Sequence, residues 1–332
     1  MKITNKEIKQ HYLKIKYITY FFYFSGIFTL PLLPIYPAIL LSLGIFGRWT
    51  MLGHHVCHGG YDKLVLNDRK TYGKQFYRRV IDWFDWWTIP LWNFEHNHLH
   101  HYNLNTKYDP DLVEKNLKFL RNSKLPYFIK KLIVLFLMCT WKWFYYAPNM
   151  YKKYTVENTI KPTIIIDYVK NFKFLTNILL PYFIYMFIII PFTTSYIYNK
   201  SIYLTYCNVI LAELLTNIHS FIVIVPNHCG EDVYRFKGKV KHKSSEFYLR
   251  QIMGSVNYTT GNDINDYLHG WLNYQIEHHL FPDLSMLEYR YLQPIIKKKC
   301  NKYNIPYIQE NVFTRLCKAI DIMIGKTSMK KI

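Results

Sequence analysis

The chain has 332 residues, half of them hydrophobic and 18% aromatic, with a net charge of +20 at pH 7. That length allows a substantial core in one or two domains. The charge alone would allow nucleic acid, but the basic residues flank apolar segments and no nucleic-acid motif is present, so a membrane surface, an acidic partner protein or a phosphate-bearing substrate fits better. The 31 tyrosines carry no argument for base stacking, because Lys, Tyr, Ile and Asn codons rise together in an AT-rich gene. The six cysteines (Cys57, Cys139, Cys207, Cys229, Cys300 and Cys317) form no C-x-x-C pair and no extracellular spacing pattern. They read as reduced thiols. Cys57 and Cys229 adjoin histidines without completing a thiolate site.

Residues 1–16 form a basic segment with Lys2, Lys6, Lys9, Lys14 and Lys16, and no cleavable signal pattern follows. Residues 17–47 hold no charge, and Pro31, Pro34 and Pro37 interrupt them near the middle. Continued to Gly53, the stretch reads as a helical hairpin with two legs just long enough for a hydrocarbon core of roughly 30 Å. The lysines before it place the N-terminus in the cytoplasm. Directly after the hairpin comes His54-His55-Val56-Cys57-His58.

Two aromatic-rich stretches interrupted by charge, about 76–94 and 132–146, are expected to be helices lying at the membrane interface. Between them lies His96-Asn97-His98-Leu99-His100-His101. A second hairpin spans 174–227: Phe174 to Asn199 is uncharged, Lys200 marks the turn, and Ser201 to Asn227 carries only Glu213. Pro226-Asn227-His228-Cys229 closes it, and Gln275-Ile276-Glu277-His278-His279 follows in the C-terminal part. Residues 311–332 read as a basic tail.

Fourteen histidines are present and most fall in these clusters. His54/His58, His96/His100 and Gln275/His279 are each four apart, so on a helix each pair shares a face and can close on one ion. Imidazole binds transition metals while uncharged. Two hairpins return the chain to one side each time, so every cluster is delivered to the cytosolic face. The remaining positions sort by the same geometry. His219, nine residues before His228, faces away from it and reads as a core histidine. Glu213 reads either as a functional intramembrane carboxylate or as one paired to a neighbouring helix. His11 and His242 lie in basic, polar stretches and are expected to be solvated. His55 and His98 fall between ligand positions and are expected to support the ligands by hydrogen bonds. His269 has no assignment.

The pattern resembles the membrane-bound fatty acid desaturase family, whose boxes here read His54-x3-His58, His96-x3-His100-His101 and Gln275-x2-His278-His279. The third box looks like the Gln-for-His variant of front-end desaturases, and the resemblance covers roughly residues 35–310. It implies an all-α integral membrane protein with four transmembrane helices in two hairpins (17–53 and 174–227) and a cytosolic histidine-box domain, all within 17–310. It also implies two non-haem irons held by the box histidines, with His228 as a further ligand, and a reaction that uses O2 and two electrons to place a double bond in a lipid or fatty acyl chain. Asn227 and Gln275 are expected beside the ligands, Gln275 either supporting them by hydrogen bonds or ligating weakly. His55 stands where many relatives carry Asp. No H-P-G-G motif of a fused haem domain is present, so the electron donor is expected to be a separate cytochrome b5 or ferredoxin. The compartment implied is the endoplasmic reticulum in a eukaryote, or a bacterial inner membrane or another organelle. Hydroxylase, ketolase or acetylenase chemistry on the same scaffold is the alternative. A metal transporter fits less well, because its ligands belong near the bilayer midplane.

Overall fold

The computed structural model describes residues 3–64, 86–87, 89–151, 176 and 179–332. Among the described residues the long elements are helices, with two two-residue parallel strand pairs. One pairs β1 (Tyr234–Arg235) with β4 (Lys330–Lys331), and the other pairs β2 (Asn257–Tyr258) with β3 (Gln309–Glu310).

Helix α1 (Asn5–Thr29) starts at a capping box, Thr4 and Glu7 satisfying each other's backbone N–H. It turns through Leu30–Ile35 into α2 (Tyr36–Gly47). The legs touch at glycine: a Cβ on Gly44 would sit 2.4 Å from the Tyr23 Cα, and one on Gly26 would sit 2.5 Å from the Leu41 backbone N. Small residues of this kind let two membrane helices approach backbone to backbone. The turn is held from elsewhere in the chain. Asn208 accepts from the Ile35 N–H (2.9 Å) and donates to the Leu30 and Leu33 carbonyls (2.8 Å each). Helix α2 runs on through a π-helical stretch (Arg48–Gly53) into α3 (His54–Cys57).

Helix α4 (Tyr127–Trp141) continues as a π-helix over Lys142–Tyr146 and packs on α6 (Ile202–Ile224). Helix α5 (Leu180–Tyr198) meets α6 through a left-handed Asn199. Among the described residues, Leu180–Tyr198 and Ile202–His228 are long and apolar enough to cross a membrane. The first hairpin is less apolar by this measure, since the N-terminal half of α1 carries lysines and α2 leads into Arg48.

Several details differ from the sequence reading. The stretch expected at the interface over 132–146 lies along α6, and its charge, Lys142, is buried against Glu213. Glu213 also accepts from the Tyr182 hydroxyl, so the intramembrane carboxylate is paired across helices. The stretch over 76–94 falls mostly outside the described residues, as does the start of the second hairpin. Residues 311–332 are not a tail. They form α10 (Val312–Met323), where fully buried Arg315 donates to Asp232 (2.6 and 2.7 Å) and to the Cys229 carbonyl (2.8 Å), and then strand β4. Nor is His11 solvated. Its two ring nitrogens are buried without a hydrogen-bond partner, and the ring meets Trp271 edge-on at 4.6 Å. The N-terminal half of α1 packs through Ile8, Tyr12 and Ile15 against Val56, Tyr267 and Trp271, which explains why. His242 is exposed, as its basic surroundings suggest. His219 donates to or accepts from no metal ligand; it meets the Leu268 carbonyl at 2.7 Å and stacks on Phe46. His269 meets the Asn265 carbonyl at 2.7 Å.

Candidate metal centre

The three boxes and His228 converge in one buried cluster. α3 carries His54 and His58, a π-helix over Asn93–His100 carries His96 and His100, and His101 follows it. α8 (Gln275–Leu280) carries His278 and His279, and His228 ends the short 3-10 turn after α6. Three groups have ligand nitrogens within 4.8 Å of one another: His54, His58, His96 and His278; His100, His228 and His279; and His101, His278 and His279. The third group shares members with the other two, so the arrangement is two adjoining clusters linked by His278 and His279.

The facing nitrogens are close. His54 and His278 meet Nε2 to Nε2 at 3.0 Å, His228 and His279 at 3.1 Å, and His96 and His101 at 3.2 Å. Two imidazole nitrogens bound side by side to one metal at about 2.1 Å each stand about 3 Å apart. Among the described residues, the His58 Nε2 and His101 Nδ1 are buried with no hydrogen-bond partner, which is costly unless something else satisfies them. Burial, reinforced by mutual repulsion, pushes the imidazoles of His54, His58, His96, His101, His278 and His279 well below the ordinary histidine range. They are therefore neutral donors at physiological pH, the form that binds a metal. His100 differs: burial lowers it, but the Asp109 carboxylate, by charge and hydrogen bond, and Asp111 outweigh burial and raise it. The residues present thus fit a transition metal held by nitrogen, and iron is among the metals imidazole suits.

Outside the ligands, four contacts fix which nitrogen faces inward. The Nδ1 of His279 meets the Gln251 Oε1 at 2.9 Å, that of His100 meets the Asp109 Oδ1 at 2.9 Å, that of His228 meets the Gly254 carbonyl at 3.1 Å, and that of His278 meets the Tyr289 hydroxyl at 3.3 Å. The Tyr289 hydroxyl lies within 3.2 Å of the Phe281 and Pro282 carbonyls, to which it donates, leaving its lone pairs for His278. Such contacts set the tautomer and orientation of a ligating imidazole. None of Asp109, Gln251, Gly254 and Tyr289 was reached by sequence reasoning. Asp109 had a local signal, a carboxylate in Asp109-Pro110-Asp111 just after the second box. Gln251 and Tyr289 had none.

Gln275 and Asn227 stand beside His228: the Gln275 Nε2 is 2.9 Å from the His228 Nε2, and the Asn227 amide donates to the Gln275 Oε1 at 3.3 Å. His55 is buried within the domain, its ring 5.8 Å from those of His278 and Tyr289, and neither of its nitrogens finds a partner. His98 is exposed and lies flat on Tyr102. The expected hydrogen-bond support from His55 and His98 is therefore absent among the described residues. Cys57 and Cys229 are buried outside the nitrogen groups, and burial pushes the Cys229 thiol up to about 12.

A partly open cavity lies against the cluster. His54, His96, His100 and His228 line one part of it. Trp49, Leu137, Trp141, Tyr146, Phe221 and Met323 line much of the remainder. An apolar, aromatic wall with a few convergent polar groups suits a small apolar ligand.

Comparison with known proteins points to one family. The chain matches the fatty acid desaturase family over residues 31–311. It is 24% identical over 297 residues to the acyl-lipid (8-3)-desaturase B of Dictyostelium discoideum, covering 83% of this chain and 59% of that one. It is 21% identical over 286 residues to the sn-1 linoleoyl-lipid 6-desaturase of Arthrospira platensis, covering 83% of this chain and 73% of that one. With the acyl-lipid (9-3)-desaturase of Physcomitrium patens it shares 33% identity over 110 residues, a third of this chain and 19% of the relative. The chain thus spans about three fifths of the length of the Dictyostelium relative and less of the moss one. No solved structure matches it. By the match over most of its length, the chain belongs to the fatty acid desaturase family.

Proposed function

We propose that this chain desaturates a fatty acyl chain, and that its eight clustered histidines hold two non-haem irons. The observation that carries the reading is the junction of two features: a buried set of neutral imidazoles and an apolar cavity that ends on four of them. The overall reaction takes two hydrogens from adjacent carbons and, with two electrons and two protons from outside, reduces O2 to two waters. Iron held by these residues would supply the activation of O2.

The chain's own residues would do the rest. Trp49, Trp141 and Phe221 confine an acyl chain and exclude water, so that proximity and orientation choose the carbon attacked. The Gly254 carbonyl, accepting from the His228 Nδ1, keeps the His228 Nε2 directed at the cluster, with Gln275 and Asn227 beside it. Asp109 holds the His100 proton on Nδ1, leaving its Nε2 lone pair free. Four membrane helices in two hairpins, with the histidines at the cytosolic face, complete the proposed arrangement. A separate one-electron carrier supplies the electrons. Because the relatives' names specify acyl lipids, a complex lipid is the first substrate to try, with the acyl-CoA beside it.

The test is lipid profiling of an expressing host against an empty-vector control, with iron content measured on the purified protein. New unsaturated chains and about two irons per chain are expected, and His101→Ala and His279→Ala should abolish both. Oxygenated chains without a new double bond, or zinc without iron from iron-replete cells, would overturn the reading.

A further inference from the structure

The desaturase reading requires electrons from outside, and one surface beside the cluster is built to receive their carrier. Tyr102 follows ligand His101 directly and is 42% exposed. Its ring stacks on exposed His98 and lies 4.3 Å from the ring of His242, which meets Phe247 at 4.7 Å. This aromatic patch sits on the outside of the residues that hold the ligands. Phe247 belongs to α7 (Ser245–Met253), and one turn further along the same helix Gln251 contacts both the His101 carbonyl and the His279 Nδ1.

The rim of the patch is strongly basic. The run Lys237-Gly238-Lys239-Val240-Lys241-His242-Lys243 exposes four lysines in seven residues. Lys239 lies over the Tyr108 ring at 4.7 Å, with Lys107 at 5.1 Å, both within the loop that follows the second box. The exposed carboxylate nearest in sequence, Glu246, is bound by Arg250 at 2.5 Å. A charge run alone is usually a solvated face. Here it surrounds exposed rings one peptide unit from a ligand, and that combination is what an electron carrier needs.

Resting on the proposed function, we propose that this patch docks an acidic one-electron carrier protein and that electrons enter the site across Tyr102 and His101. Each docking event oxidises one carrier by one electron. Two events, with two protons from solvent, supply what O2 needs beyond the two acyl hydrogens to become two waters. Opposite charge would raise the encounter rate and set the register, while the rings supply the close apolar contact.

The experiment uses the full chain in detergent and, as probe, the soluble acidic haem domain of a cytochrome b5. Binding is read directly, and iron content confirms that each variant is intact. K241E/K243E should weaken binding at least tenfold at low ionic strength, and the difference should shrink at high salt. The KM for the carrier should rise in parallel, while turnover driven by dithionite stays at the wild-type level. K298E/K299E, an equal charge change on exposed lysines of α9 (Met286–Lys302), should leave both nearly unchanged. Unaltered binding in K241E/K243E, or an equal loss in K298E/K299E, overturns the proposal. Failure of the desaturase reading would show separately, as wild-type protein that binds the carrier but yields no unsaturated product with either reductant.

Discussion

Gln251 offers the sharpest separation of metal binding from folding. It is buried, its Oε1 accepts from the His279 Nδ1 at 2.9 Å and its amide donates to the His101 carbonyl at 3.3 Å. Gln251→Leu keeps the volume and removes the acceptor. If His279 kept its proton on Nδ1, the buried orphan would cost about 1–3 kcal/mol. The ring has an alternative, because moving the proton to Nε2 exchanges an orphan donor for a less costly orphan acceptor. That proton then faces the His228 Nε2 at 3.1 Å, which can accept it. The apo fold then loses about 1–3 kcal/mol, chiefly through the His101 carbonyl left without this donor, but the larger effect is that the nitrogen that must ligate is blocked. The loss should appear in metal affinity, by about 10–100-fold, the usual effect of removing such a contact. Chelator competition on the purified protein measures it, with thermal unfolding of the apo form as companion. Gln251→Glu, which restores an acceptor at Nδ1, should recover most of the affinity. A Gln251→Leu protein that holds iron as tightly as wild type would refute the reasoning.

Three further outcomes are expected. Burial, helped by the charge of Arg290, lowers the His11 pKa to about 4, so the unfolded chain binds the extra proton first and stability falls as pH drops from about 6.5 toward 4. His11→Leu should therefore gain on wild type as the medium acidifies, by up to about 2 kcal/mol at pH 5; unfolding curves at pH 8 and pH 5 giving one constant difference would contradict this. Removing one partner of the buried Lys142–Glu213 pair, as in Glu213→Leu, should cost about 3–5 kcal/mol, whereas Lys142→Met with Glu213→Leu should recover most of it; a double variant as unstable as the sum of the singles would show no coupling. Gly44→Ala forces α1 from α2 at Tyr23, and should lower the melting temperature far more than an alanine at half-buried Ser25 on α1 would. Equal melting temperatures for the two would mean that the hairpin is not packed through Gly44.

The ligand histidines were legible because spacing is local. A pair four apart, or adjacent as in His278 and His279, declares itself without knowledge of the fold. Topology then suggested that boxes over two hundred residues apart could meet, as His54 and His278 do. What surrounds the ligands was not legible for the same reason in reverse. Gln251 and Tyr289 are ordinary helical residues until α7 and α9 pack against α8. His11 was misplaced because its neighbours in sequence are lysines while its neighbours in space are Trp271 and Arg290. Residues 311–332 looked like a basic tail because net charge hides the amphipathic face of α10, whose Arg315 is spent inside on Asp232.

The second box shows why spacing arguments succeeded there only in part. On an α-helix, His100 lies about 40° from His96 but His101 lies about 140° away, at 100° per residue. A strictly α-helical reading would admit His100 and turn His101 off the cluster. The stretch from Asn93 to His100 is instead π-helical, and the His101 N–H bonds to the His96 carbonyl five residues back. With that hydrogen-bond pattern, residues four and five ahead flank the same position. All three imidazoles then face one side, with His96 and His101 meeting at 3.2 Å. The first box is itself α-helical, its His58 N–H bonding to the His54 carbonyl four residues back, and a π-helical stretch over Arg48–Gly53 leads into it. π-Helical turns are poor helix geometry and occur chiefly at functional sites. Further π-helical stretches over Lys142–Tyr146 and Tyr185–Ile189 carry no ligand, but the one over Asn93–His100 draws three ligands onto one face.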